Sequence, residues 1–165
     1  MKIAIISDTH DNLANIEKTL SILKKESIQI LLHCGDISAL DTLKTIMQGF
    51  LGKVHIVLGN ADEDTLELTN LKNKYPGRLK IWGNSGEIKT GGKKIAFNHF
   101  PEIAKDLASI KDYDLIFYGH THKPWEERIG KTRLVNPGNL AGIFYGPTFA
   151  IYDTKNEKLE LKILD

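Results

Sequence analysis

The sequence predicts an α/β domain with two β-sheets and helices on the outside, taken as a single domain over residues 1–165. Three observations predict it. The first two thirds alternate short apolar runs with amphipathic segments, which is how βαβ units read. From "GRLKIWG" onward the apolar runs lie close together, and in the C-terminal third they are parted by Gly and Asn turns, the pattern of hairpins. No internal repeat, low-complexity tract or linker divides the chain, so one layered core accounts for all of it.

Taken in order, "KIAII" is a buried strand. After it Leu13, Ile16, Leu20 and Leu23 fall at helical spacing, with Asn12 available as N-cap. "IQILLHC" is a second strand, and Ser38 is expected to cap a helix carrying Leu40, Leu43, Met47 and Phe50. "VHIVL" is the third strand, followed by the helix "DEDTLELTNLKNK", whose acidic start suits the helix dipole. Short strands follow at "GRLKIWG", "GEIKT" and "KIAFNH", then a helix over "EIAKDLASI" and a strand at "DLIFYG". "WEERI", "TRLVN", "TFAIYD" and "KLELKIL" are the closing strands.

Bulk properties exclude several function classes. The formal charge is +1 and the lysines are scattered, so neither a nucleic-acid stripe nor a membrane-surface helix stands out. Any phosphate-bearing partner must be held locally. The lone Cys34 excludes an internal disulfide and a Cys-based structural zinc site, and it suits the cytoplasm. No apolar run is long enough for a membrane span. Trp82, Trp125 and Phe144 are candidates for a homo-oligomer surface, although isolated aromatics beside strands are more often core.

The chemistry collects just past the strand ends. Asp8 and His10 follow the first strand, Asp36 the second and Asn60 the third; His99 follows "KIAF", and His120 and His122 follow "LIF". In an open α/β sheet ligands bind in the crevice outside the carboxyl ends of the strands. Five strands therefore bring seven metal-capable side chains to one edge. Two carboxylates, four imidazoles and a carboxamide form a mixed N/O set suited to Mn, Fe, Zn, Ni or Co, and seven ligands are too many for one tetrahedral ion. Two divalent ions about 3.5–4 Å apart, sharing one carboxylate, would use them all and leave room for a bridging water. Asp8-x-His10 and His120-x-His122 are each expected to point two side chains the same way, because alternate residues of an extended chain share a face.

Other polar residues have plainer readings. His33 and His55 lie inside strand patterns and read as packed or surface histidines, and Cys34 as a small core residue. Asp62-Glu63-Asp64 reads as a helix start, with Asp62 either that cap or a partner behind Asn60. Asp11 stays open between a helix cap and a residue backing the ligands.

With "DTH", "HCGD", "GNAD", "NHF", "GHTH" and "NPGN" in this order, the chain resembles the calcineurin-like metallophosphoesterases, most closely their small single-domain phosphodiesterases. The resemblance covers essentially the whole chain and implies a two-sheet β-sandwich flanked by helices, an αββα arrangement. It implies that Asp8, His10, Asp36 and His122 hold one metal while Asp36, Asn60, His99 and His120 hold the other, with Asp36 as the bridge. Mn is the first choice of metal. Three positions depart from the family pattern. Ala61 stands where many relatives have a His that protonates the leaving group; small phosphodiesterase-type members commonly lack it too. Phe100-Pro101 replaces a usual Gly and is expected to narrow the cleft, and Asn139 replaces a Ser in a turn expected to change little.

The expected activity is metal-dependent hydrolysis of a small phosphodiester by a bridging water, with Asp36, Asn60 and His10 as the catalytic residues. Without a His at position 61, activated leaving groups such as aryl esters should be favoured. A phosphomonoesterase is the alternative within the same chemistry. A non-catalytic interaction scaffold is the alternative outside it, and the filled ligand set argues against that, since unpaired carboxylates and imidazoles are costly to converge without a metal.

Overall fold

The apolar run Lys2–Ile6 forms β1, buried from Ile3 to Ile6 because it lies well inside a sheet covered on both faces. The structure, a computed structural model, describes residues 1–63 and 65–165. On one side of β1 the strands β2 (Ile30–His33), β3 (Lys53–Ile56) and β4 (Leu79–Ile81) add in parallel. On the other, β10 (Thr148–Asp153) and β11 (Lys158–Ile163) add antiparallel. A second sheet runs β5 (Ser85–Thr90), β6 (Lys93–Asn98), β7 (Leu115–Phe117), β9 (Thr132–Asn136), β8 (Trp125–Ile129), with β6, β7 and β9 parallel. The closing strands are thus shared between sheets: β8–β9 complete the second and β10–β11 the first.

Side-chain alternation along β1 decides the layers. Ile3 and Ile5 point between the sheets against Phe97, Phe117 and Val135. Ala4 and Ile6 point outward to Ile16, Leu23, Leu43 and Leu68 on α1 (Leu13–Lys25), α2 (Leu40–Gly49) and α3 (Leu66–Lys74). Beyond the second sheet, α4 (Pro101–Ile110) buries Ala104 over Ala96, Ile116 and Leu134. Helices, sheet, sheet and helix give the expected αββα order. Cys34 lies wholly buried between the sheets, and burial pushes its thiol pKa well up, as a core residue requires. No helix of the described residues is long and apolar enough to cross a membrane.

The helix starts refine the sequence reading. Asn12 caps α1, its Oδ1 accepting from the N–H of Asn15 at 3.1 Å. Ser38 is not the cap of α2. Ala39 holds that position, and its N–H donates to Asp11 Oδ1 at 2.9 Å, so the cap comes from 28 residues away. The Thr42 hydroxyl donates to the same oxygen. Asp11 is therefore a helix cap, but for α2. Helix α3 begins at Leu66 behind the cap Thr65, which frees Asp62 and Glu63 from the helix; Asp64 lies outside the described residues. Of the three aromatics, Trp82 packs on the core while Trp125 is 51% and Phe144 87% exposed.

Candidate metal centre

Each parallel strand that points at the site ends one to four residues before a metal-capable side chain. Beyond β1, the N–H of Asp8 donates to the carbonyl of Gly35, and the N–H groups of Thr9 and His10 donate to that of Asp36. The loops after β1 and β2 are thereby laced together. Here the alternation argument fails: Asp8, His10, His120 and His122 have φ of 51°, 37°, 68° and 60°, and Asp36 has 58°, all left-handed rather than extended. Convergence comes from tight left-handed turns past the strand ends. Such backbone is costly for side-chain-bearing residues and persists where the surroundings over-determine it.

Those turns bring the seven residues into two overlapping groups. One donor atom each from Asp8, His10, Asp36 and His122 lies within 4.8 Å of the others. Within this group His10 Nε2 and His122 Nε2 are 3.3 Å apart, His122 Nε2 is 3.4 Å from Asp8 Oδ1, and His10 Nε2 is 3.5 Å from Asp36 Oδ2. In the second group Asn60 Oδ1 lies 3.0 Å from both His99 Nε2 and His120 Nδ1, which are 3.2 Å apart. His99 Nε2 is 3.4 Å from Asp36 Oδ1. Asp36 thus turns one oxygen to each group. His120 keeps the second group open to solvent, while Phe100 packs edge-on to His99 and tilted against His120, with centroids 4.8 and 5.0 Å away, forming the expected wall.

The donor chemistry fits cations. His99 Nδ1–H donates to the Cys34 carbonyl at 2.8 Å and His122 Nδ1–H to that of Ile143 at 3.4 Å, which assigns the Nε2 lone pairs to the site. Burial lowers the pKa of both imidazoles, which favours their neutral, lone-pair-bearing form. Burial, reinforced by Asp36, raises the Asp8 carboxyl to about 7. Lone pairs and carboxylate oxygens facing one another at 3.0–3.5 Å repel unless a cation or proton lies among them. His33 and His55 stay outside the set, as expected: His33 accepts from Gly35 N–H and meets Thr9, and His55 accepts from the Trp82 indole.

Several further residues of the motifs shape the site without being ligands. The Asp62 carboxylate accepts four backbone N–H groups, from Asp36, Ile37, Ser38 and Gly59, at 2.7–2.8 Å. It is neither helix cap nor ligand; it fixes the loop that carries Asp36. Gly59 and Gly119 allow close approach, since an added Cβ would collide with Asp36 Oδ1 at the first and with Ser7 Oγ at the second. The "NPGN" turn does more than expected. Asn136 donates to the Gly119 carbonyl at 2.8 Å and Asn139 to that of His122 at 3.0 Å, bracing the loop that presents both histidines.

Residues 1–157 match the profile of the calcineurin-like phosphoesterase superfamily domain. The chain is 30% identical, over the full length of both, to the phosphodiesterase MJ0936 of Methanocaldococcus jannaschii. It is 25% identical to the phosphodiesterase YfcE of Escherichia coli, over 86% of this chain and 80% of that one. A solved archaeal phosphodiesterase superposes with a TM-score of 0.91 at 28% identity, covering 99% of this chain and 100% of its own. The chain belongs to the calcineurin-like phosphoesterase superfamily.

Proposed function

We propose that the protein is a cytoplasmic, dinuclear-metal phosphodiesterase that hydrolyses a small phosphodiester. The observation that carries this reading is the shared carboxylate: Asp36 Oδ2 faces His10 and Asp36 Oδ1 faces His99, so one residue serves two adjoining ligand groups. Asp8, His10, Asp36 and His122 would hold one ion and Asp36, Asn60, His99 and His120 the other, with Mn the first choice for both. Two divalent ions bound there supply Lewis acidity toward phosphate oxygens and an activated water as nucleophile.

The chain's own residues set the rest of the chemistry. Asn60 binds through a neutral oxygen, so only Asp8 and Asp36 offset the cations and the site keeps a field that attracts phosphate. Arg78 is held by the carbonyls of Met47 and Phe50, and Arg133 by Glu126, so neither supplies the phosphate clamp. Ala61 offers no proton to a leaving group, and His10, partly exposed with its Nδ1 3.4 Å from Ser38 Oγ, is the candidate imidazole to supply one. Activated, aryl-type leaving groups are therefore favoured. The test is a Mn-dependent assay on matched phosphomonoesters and phosphodiesters, with Asp36→Ala and His99→Ala beside the unchanged chain. Diesters should be cleaved and both variants silent; activity surviving in both would remove the two-metal reading.

A further inference from the structure

Beside the Asp36 end of the candidate centre lies a cavity of about 370 Å³, within the range of small-molecule sites. Leu40, Leu43, Leu58 and Leu68 form its apolar part. Two of its lining residues contact the proposed metal ligands directly. Ser38 lines it and sits 3.4 Å from His10 Nδ1; Ala61 lines it and donates its N–H to Asp36 Oδ1 at 2.8 Å. The small side chain of Ala61 therefore lines the cavity next to the residue whose carboxylate both ligand groups share.

Three carboxylates also line the cavity, and they are not equivalent. Asp62 has both oxygens committed to four backbone N–H groups and has little capacity left for a ligand. Glu63 and Glu67 are exposed, and among the described residues neither is paired with a cation. An apolar chamber beside a phosphate-binding site with two uncommitted negative charges selects by both shape and charge. A phosphodiester has a second ester arm that must go somewhere, and an anionic arm would be repelled here.

Resting on the phosphodiesterase reading above, we infer that this cavity seats one ester arm of the substrate, an arm with an apolar body and a cationic amine that reaches Glu63 and Glu67. The two glutamates are then specificity residues and take no part in the bond-breaking step.

The test uses 4-nitrophenyl phosphodiesters whose second arm is a 3-phenylpropyl group with a para aminomethyl, hydroxymethyl or carboxylate substituent. With the Mn-loaded full chain, kcat/KM should fall in that order by about tenfold overall, mostly through KM, as a few exposed charge pairs allow. In the Glu63→Gln/Glu67→Gln chain the spread should shrink to about twofold. A spread that persists in the double variant, or one carried by kcat alone, would overturn the inference while leaving the phosphodiesterase intact. If no diester is cleaved at all, the catalytic reading fails and the cavity is judged by itself. The free aminomethyl arm alcohol is titrated into the metal-free chain, and amide shifts of Ala39, Ala61 and Leu68 are followed by NMR. Shifts there that vanish in the double variant support an amine-selective cavity, and their absence overturns it.

Discussion

Asp62 holds the backbone of Asp36 at 2.8 Å, N–H to Oδ2, across 26 residues of sequence, and thereby aims the carboxylate shared by both halves of the candidate centre. Its other three bonds pin Ile37, Ser38 and Gly59. An Asn at this position offers one oxygen in place of two and turns an N–H₂ group toward amides that also donate. Asp62→Asn should therefore lower metal affinity by about 10–100-fold, as loss of a residue that orients ligands does. It should also lower stability by about 2–3 kcal/mol, the scale of hydrogen bonds to a charged acceptor. Isothermal titration with Mn and urea unfolding of the metal-free chain check the two effects; a stable variant with unchanged Mn affinity contradicts the role.

How much of this was legible in the sequence follows from where each interaction lies. The αββα layers and the seven site residues could be read because apolar runs end in polar motifs, and a strand end is a local feature. Asp11 and Asp62 are each open between a cap and a backing role, and the sequence does not choose. The partners that decide it, Ala39 for Asp11 and Asp36 to Ser38 for Asp62, lie more than twenty residues away, so only the folded chain brings donor and acceptor together. The left-handed turns were equally hidden, because Asp8, His10, Asp36, His120 and His122 carry side chains and no glycine marks the conformation. Reading Asp8-x-His10 and His120-x-His122 as extended brought these side chains together for the wrong geometric reason. Phe144 is open in the sequence between an exposed surface and the core, and the chain leaves it in solvent beside His122, with ring centroids 5.7 Å apart.

The two ligand groups should be separable by substitution. His122→Ala touches only the group with Asp8 and His10, and His120→Ala only the group with Asn60 and His99. Each should reduce bound Mn from about two to about one ion per chain, whereas Asp36→Ala should reduce it toward none, because that carboxylate serves both. Atomic emission on dialysed protein gives the count. Two ions retained by Asp36→Ala would exclude a shared bridge.

Acid sensitivity should report on the His55–Trp82 contact, which takes no part in the ligand groups. His55 Nδ1 accepts from the Trp82 indole N–H at 3.2 Å, and burial, helped by Lys80 and Lys53, lowers the imidazole pKa to about 4. The folded state thus prefers the neutral ring, while the unfolded chain titrates near 6.5. Stability from this contact is complete above about pH 6.5 and is lost as the pH falls toward 4. In a Trp125→Phe background, Trp82 fluorescence and urea midpoints at pH 7 and pH 4 follow it directly. His55→Asn keeps an acceptor for the indole but cannot titrate, so its midpoint should fall less over that interval; an equal fall in both chains would rule the contact out as the acid-sensitive element.

Position 61 should control which leaving groups depart. The N–H of Ala61 already donates to Asp36 Oδ1 at 2.8 Å, so a side chain here begins beside the shared carboxylate. An imidazole at this point can protonate a departing alkoxide, an effect usually worth about 10²–10⁴-fold. Aryl oxides leave without that help. Ala61→His should therefore raise kcat for alkyl phosphodiesters by about 10²-fold and leave aryl diesters within a few-fold. The comparison belongs at saturating substrate, because the new ring also narrows the adjoining cavity and any loss of arm binding then enters KM rather than kcat. Its gain on alkyl esters should fade as the pH rises through the new imidazole's pKa, since only the protonated ring can donate. An alkyl-to-aryl ratio that stays put across that range would mean the missing acid does not limit this enzyme, and that proton delivery is met by His10 or by solvent.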